Sequence, residues 1–224
     1  SFYEENRHFY LAKYFREHYD AAMQQLPYVM TGIEITRIEV WVTNKSATTS
    51  NSRNLIAMTD LAESLPGKVQ GRSALPDNDA SDLYSRLTTT YVAARDIDHA
   101  STVLDAGFTG GVDYEKLASA RLLSSSEYTL NKALGYISLK TALQTDQVLA
   151  VAFEYTYGGK TYKVGELASD HTNASEALFV KSLKNTSGNP MQGNWPLMMK
   201  NVYSLASTVE KTKFRLDIKF QSDT

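Results

Sequence analysis

The stretch VLAVAFEYTYGGKTYKVGEL, residues 148 to 167, constrains the fold more than any other part of the chain. Gly158 and Gly159 read as a two-residue hairpin turn, whose central positions need a positive φ that glycine adopts without strain. A fixed turn fixes the register, because a slip of one residue would exchange the two faces of the strand. Tyr155 is then expected opposite Tyr162, Phe153 opposite Val164 and Glu154 opposite Lys163. One face is aromatic and branched. The other carries an ion pair beside Ala150, Ala152 and Gly165, small enough to let a helix or second layer approach closely. Each cross-strand pair contributes roughly 0.2–1 kcal/mol.

A second strand is expected over residues 33 to 44, IEITRIEVWVTN, with Ile38, Val40 and Val42 on one face and Arg37, Glu39 and Trp41 on the other. Trp41 and the hairpin are the expected structural anchors. A last strand is expected over 213 to 220, KFRLDIKF, which alternates Phe214, Leu216, Ile218 and Phe220 with Arg215, Asp217 and Lys219.

Helical spacing dominates elsewhere. Residues 2 to 26 read as one helix with Leu11, Phe15, Ala22 and Leu26 on its apolar stripe, stopped by Pro27. SDLYSRLTTTYVAARDIDHASTVLDAG, DYEKLASARLL and SSEYTLNKALGYISLKTAL also read as helices, and another is expected near 174 to 184. Gly107, Gly110 and Gly111 follow a helix and fit termination better than a phosphate cradle. Asp113 or Ser125 is a candidate N-cap for the next helix. The pattern implies one α+β domain over 1–224. A mixed or mainly antiparallel sheet packs with helices, and a helical layer or insertion at about 80–143 lies between the first strand and the central hairpin.

Composition bounds the function. The chain has 224 residues, 42% apolar and 21% charged, with a formal net charge of -2. That charge, with no basic stripe, disfavours nucleic acid as a partner. Cysteine is absent, which excludes disulfides, thiolate metal sites and cysteine nucleophiles. No apolar run reaches the ~18 residues of a spanning helix. The start SFYEEN, without Met, suggests a processed form or a piece cut from a larger protein.

Motifs for chemistry are weak. Asp77, Asp79 and Asp82 in PDNDASD lack the glycine and distant glutamate of a calcium loop, and fit a turn feeding a helix N-cap. His8, His18, His99 and His171 are scattered, without the three- or four-residue spacing of a shared ligand face. Asp170, His171 and Ser175 are neighbours in sequence, which is no sign that they converge in space. No catalytic residue, cofactor or metal is expected. Fourteen tyrosines serve sheet and helix packing, or a recognition surface. In GNWPLMMKNVYSL, residues 193 to 205, Trp195, Met198, Met199, Val202 and Tyr203 fall at near-helical spacing. That pattern fits core closure or a docking face, and Trp195, Met198, Met199 and Tyr203 are the candidate partner surface.

HFYLAKYFREHYDAAMQQLP (8–27), ITRIEVWVTNKSATTSNSRNLIAMTDLAE (35–63), VLAVAFEYTYGGKTYKVGE (148–166) and WPLMMKNVYSLAS (195–207) together resemble the recurring soluble region of the SprA/Sov family. These are the outer-membrane translocons of type IX secretion in Bacteroidetes, linked to gliding motility. Residues 66 to 143 match only in their place in the order. The chain departs from the family pattern at TSGNPMQGNWPLMM, where Gln192 to Asn194 look inserted or altered. The resemblance implies a non-enzymatic domain on the periplasmic or cell-surface side of an outer-membrane barrel protein. Its expected partners are the rest of its own translocon chain, accessory subunits and cargo proteins. The alternative from a different class is a cell-surface glycan- or peptide-binding module, which needs exposed aromatic residues flanked by polar groups. A hydrolase built on Asp170, His171 and Ser175 is a third reading.

Overall fold

The structure, a computed structural model, describes residues 2–46, 49–64, 74–205, 208, 212–215 and 217. In chain order the elements are β1 (Phe2–Tyr3), β2 (His8–Tyr10), α1 (Lys13–Met23), β3 (Ile33–Val42), β4 (Ser52–Met58), α2 (Leu83–Thr88) and α3 (Ala100–Leu104). After these come β5 (Tyr114–Leu122), β6 (Tyr128–Asn131), β7 (Tyr136–Leu139), β8 (Leu149–Tyr157), β9 (Lys160–Val164), β10 (Leu178–Lys184) and β11 (Tyr203–Ser204). Strand and helix are mixed, with sheet predominant.

The hairpin has the register its turn dictates. Phe153 pairs with Val164, Glu154 with Lys163 and Tyr155 with Tyr162. Gly158 and Gly159 take φ of 56° and 76°, and the Tyr155 and Tyr162 rings stack at 5.2 Å. The Glu154–Lys163 ion pair spans 3.5 Å.

The main sheet closes on itself. Its order is β10-β4-β5-β3-β8-β9, and β10 also pairs with β8, so β10, β4, β5, β3 and β8 form a five-stranded ring with β9 attached to β8. Only the β10–β4 pairing in that ring is parallel. Every ring strand contributes one face to a single buried cluster: Trp41, Leu55 and Ala57, Leu117 and Ala120, Ala150 and Ala152, Leu178 and Val180. That cluster fills the interior of the barrel, where the one large ring, Trp41, is accommodated by four alanines among the leucine and valine side chains. Ala150 and Ala152 thus admit no helix. Their small size makes room for Trp41, and Gly165 lets β10 approach, since a Cβ on Gly165 would lie 3.2 Å from the Val180 Cα.

The outer face of the ring carries a second core. Val40, Val42, Ile56, Met58, Val151, Phe153, Tyr155 and Phe179 pack against Phe15 of α1, Leu83 and Leu87 of α2, Leu104 of α3 and the small sheet β2-β7-β6. Phe15 lies 6.3 Å from Phe153 and 6.2 Å from Tyr155, ring to ring. Burying each such side chain contributes about 1.5–3 kcal/mol. The Tyr155 hydroxyl donates to the Pro76 carbonyl at 2.6 Å, which ties the helical layer to the hairpin.

Several helical expectations give way to strands. DYEKLASARLL is β5, and Ser119 explains the misleading spacing. Its φ of 52° makes a bulge, so Leu117 and Ala120 share a face three residues apart instead of two. The side chain of Asn54 fills the gap in the ladder, its Oδ1 accepting from the Ser119 N–H at 2.9 Å. SSEYTLNKALGYISLKTAL is the β6–β7 hairpin. Its NKALG turn is one helical turn long, closed by a bond from the Gly135 N–H to the Asn131 carbonyl at 2.9 Å. The helical layer is therefore confined to 78–104, and between 114 and 139 the chain forms β5, β6 and β7 with the turns that join them. Asp113 and Ser125 precede strands and cap no helix; Asp113 accepts instead from the Thr109 N–H.

The helix expected near 174 to 184 is β10, buried on both faces, so Lys181 and Ser182 interrupt its apolar residues without leaving the alternation that would mark a strand. The first helix starts only at Lys13, because Phe9 and its neighbours pair with β7 across Ile137. Leu26 is exposed. Of the expected closing strand, Leu216 and 218–220 lie outside the described residues, and the described positions between 213 and 217 are not in a strand.

Candidate functional site

The chain from Gln192 to Ser204 crosses one end of the molecule, alongside the N-terminal residues. It first makes a 3-10 turn, Trp195–Leu197, with Pro196 fixing φ where no donor is needed. It then extends instead of continuing as a helix. Met198 bridges to Phe9, the Met199 N–H donates to the His8 carbonyl at 2.8 Å, and the Glu4 N–H donates to the Val202 carbonyl at 2.9 Å. β11 finally pairs with β1, placing Tyr203 opposite Tyr3 with ring centroids 5.5 Å apart.

The four candidate residues therefore do not form one apolar stripe. Trp195 and Met198 border a cleft of about 270 Å³ toward the end of β10. Met198 and Met199 border a second, open cleft against α1, shared with Tyr10, Arg16 and Tyr19. Tyr203 stands apart on the exposed β1–β11 ribbon, 52% exposed, with Phe2 83% exposed beside it. Lys200 holds the segment's bend. Its ammonium donates to the Trp195 and Met198 carbonyls at 3.0 and 3.2 Å and lies 4.6 Å from the Trp195 ring centroid. Burial, reinforced by the nearby Arg16 charge, holds its pKa below the usual lysine range. In the open cleft, burial and the neighbouring Tyr19 and Asp20 push the Tyr10 hydroxyl up to about 12.

Beneath the first cleft lies a polar cluster that no local motif marks. Asn185 Nδ2 donates to Thr59 Oγ1 at 3.2 Å and to the Gly111 and Val112 carbonyls, while its Oδ1 accepts from Ser182 Oγ at 2.6 Å and Asn194 Nδ2 at 2.9 Å. Gln192 Nε2 donates to the Gly111 carbonyl at 2.6 Å. Gln192 and Asn194 are 4% and 3% exposed, so the residues that look inserted in the sequence are a buried plug at the barrel's end. Nearby, Lys181 Nζ meets Glu63 Oε1 at 2.9 Å and the Thr59 and Leu61 carbonyls at 3.3 and 3.2 Å, and the Lys13 N–H donates to Glu63 at 3.0 Å. Ser182, Asn185 and Asn194 are near one another in sequence, but Thr59, Glu63, Gly111 and Val112, which complete the two clusters, are distant from them, so no local pattern marks the site.

At the Phe179 end of β10, Glu166 is held by three elements. It accepts from both Arg95 terminal nitrogens at 2.6 and 3.0 Å, from the Tyr84 hydroxyl at 2.9 Å and from the Phe179 N–H at 2.9 Å. Burial pushes this carboxyl up, but the Arg95 bonds and charge, with the Phe179 and Tyr84 donors, leave it below the usual carboxylate range. Arg95 also lies 4.5 Å from the Phe179 ring centroid.

The weak catalytic candidates are occupied elsewhere. Asp170 pairs with Arg37 at 2.6 Å and Lys163 at 3.4 Å, and bonds to Arg37 hold its carboxyl below the usual range. The Ser175 hydroxyl donates to Asn173 Oδ1 at 2.7 Å, and the His171 carbonyl accepts from Arg53 at 2.8 Å. No hydrogen bond joins the three to one another among the described residues. His8 bridges Ser138 and Glu4, both at 2.8 Å, His18 stacks on Tyr14, and His99 bonds Asp96. Asp77 to Asp82 make a 3-10 turn leading to α2 without a side-chain cap. Among the described residues no group of three or more His, Asp and Glu is arranged to hold a metal, and no helix is long and apolar enough to cross a membrane.

No family model matches the chain, and no curated protein matches it.

Proposed function

We propose that this chain is a non-catalytic domain of a SprA/Sov-like outer-membrane secretion translocon. It acts as a stiff block that docks cargo or accessory subunits in type IX secretion and gliding motility, on the periplasmic or cell-surface side. The observation that carries this reading is spatial. The described residues of the four stretches that resemble the family, scattered along the sequence, make up one contiguous unit. β3, β4, β8 and β9 share one sheet, Phe15 of α1 rests on Phe153 and Tyr155, and Met198 bridges to Phe9. A closed barrel with few free edges suits a scaffold. The exposed β1–β11 ribbon, with Phe2, Tyr3 and Tyr203, is the docking surface in this reading, since clustered exposed aromatic side chains mark contact sites.

The test is an in-frame deletion of these residues from the parent gene of a gliding Bacteroidetes strain, alongside a Tyr3→Ser, Tyr203→Ser pair. Parent protein amount and outer-membrane location are measured in both. Loss of secreted cargo at normal parent level is expected for the deletion, and partial loss for the pair. Unimpaired secretion from the deletion strain overturns the reading.

A further inference from the structure

The cleft beside Trp195 has a chemistry that scaffolding does not use. Gln192 and Asn194 both line it and both are more than nine-tenths buried. Their amide nitrogens are committed inward, Gln192 Nε2 to the Gly111 carbonyl and Asn194 Nδ2 to Ser182 Oγ and Asn185 Oδ1. Nothing among the described residues donates to Gln192 Oε1 or Asn194 Oδ1. Among those residues, the side-chain nitrogens and oxygens that are sealed from solvent and unpartnered are Trp41 Nε1 and Arg53 Nε. The two amide oxygens therefore keep access to solvent, and the cleft is where their residues meet it. They are fixed acceptors, held in place by the network behind them.

The remaining walls narrow the ligand class. Trp195 and Met198 supply an apolar side. One negative group, Glu5, and one positive group, Lys184, also border the space, so the cleft carries no net formal charge. Lys184 spends its donors on the Thr145, Gln147 and Asn185 carbonyls at 2.8, 2.8 and 3.1 Å. A metal cation or an ammonium group would be repelled by it, and an anion would meet Glu5 and two acceptor oxygens. What fits is neutral, rich in hydroxyl donors and apolar on one side. At about 270 Å³ the cleft sits just below the roughly 300–1,000 Å³ of typical ligand pockets, which suits a single ring. We propose that this cleft binds one neutral sugar residue. Its hydroxyls donate to Gln192 Oε1 and Asn194 Oδ1, and its C–H face rests against the Trp195 indole, as aromatic side chains with an apolar body and fixed polar neighbours allow. This inference stands apart from the docking reading, which uses the β1–β11 ribbon.

The experiment titrates the full chain, labelled with nitrogen-15, with glucose, galactose, mannose and N-acetylglucosamine in turn, and follows the side-chain amide resonances of Gln192 and Asn194 together with the indole N–H of Trp195. At least one sugar is expected to shift all three saturably, at millimolar concentration, and to leave the Trp41 indole unmoved. Trp195→Ala should weaken binding by about ten-fold or more, the scale of one lost ring contact. Gln192→Met keeps the side-chain volume, deletes the acceptor together with the Nε2 bond to the Gly111 carbonyl, and should weaken binding without touching the ring; it serves where the tryptophan variant fails to fold. Absence of a saturable shift with all four sugars overturns the proposal, as does full binding by a folded Gln192→Met variant. A shift produced by triglycine amide and by none of the sugars overturns it in favour of a peptide-backbone pocket.

Discussion

Lys181 and Glu63 form an ion pair of 2.9 Å in which neither side chain is more than 2% exposed. Lys181 sits mid-strand on the outer face of β10, and its ammonium is completed by the Thr59 and Leu61 carbonyls, so it pins the chain after β4 to the barrel wall. Removing one member leaves the other charged and sealed from water. Glu63→Gln or Lys181→Met is expected to cost about 3–5 kcal/mol, whereas the double replacement Glu63→Leu, Lys181→Met should recover much of that loss. Urea unfolding of the three variants checks this. A double variant as unstable as the sum of the singles would refute the pairing.

The Glu166 cluster gives the fold an acid limit. Its carboxyl titrates below the ordinary value of 4.5, so the unfolded chain takes up this proton more readily than the folded one. The stabilisation is complete above that value and is lost as pH falls through the depressed folded pKa. Glu166→Gln removes the charge that Arg95 and the Phe179 N–H address, and should cost about 3 kcal/mol at neutral pH. The difference between wild type and variant should shrink below pH 4.5. Unfolding free energies across an acid pH series measure it, and a constant difference would count against the assignment.

These two clusters also show where the sequence stops being informative. The Gly158–Gly159 turn carries its own register, and the alternation of β3 places Val40 and Val42 outward and Trp41 inward, because both are local properties of the chain. Barrel closure is not local. It depends on β10, whose buried run Leu178 to Leu183 has no period, and on Ser119, whose bulge turns a two-residue repeat into three. Trp195 and Met198 do border a cleft, but Met199 and Tyr203 point the segment's contacts elsewhere once it extends along β1 and β2. Gln192 and Asn194 acquire their roles only from Gly111, Ser182 and Asn185, partners brought close by the fold.

Gly165 is a further nonlocal constraint. It has φ of 70°, and an added Cβ would lie 3.2 Å from the Val180 Cα and 3.3 Å from the Phe179 carbonyl oxygen, both backbone atoms. Gly159 has φ of 76° with nothing within 4 Å of the same position, so it isolates the conformational cost. Gly159→Ala should lose about 1 kcal/mol, and Gly165→Ala about 2–3 kcal/mol, since strain and a rigid contact add. Thermal or urea midpoints compare them, and equal losses would remove the case for a close approach of β10.

Trp41 fills the barrel interior, yet its indole N–H is sealed from solvent without an acceptor among the described residues. Two effects oppose each other here. The ring supplies volume that Ala57, Ala120, Ala150 and Ala152 cannot, so Trp41→Ala leaves a cavity and should cost about 3–5 kcal/mol. The unpaired N–H, by contrast, is a standing penalty of about 1–3 kcal/mol. Trp41→Phe removes that donor along with part of the ring, so relief of the penalty offsets much of the lost packing, and a net change within about 1.5 kcal/mol is expected. Were the N–H satisfied in solution, by water or by a carbonyl that shifts toward it, the phenylalanine variant would lose packing and a hydrogen bond together and approach the alanine variant in instability. Urea unfolding of both variants, followed by circular dichroism so that the signal does not depend on the removed fluorophore, separates the two cases.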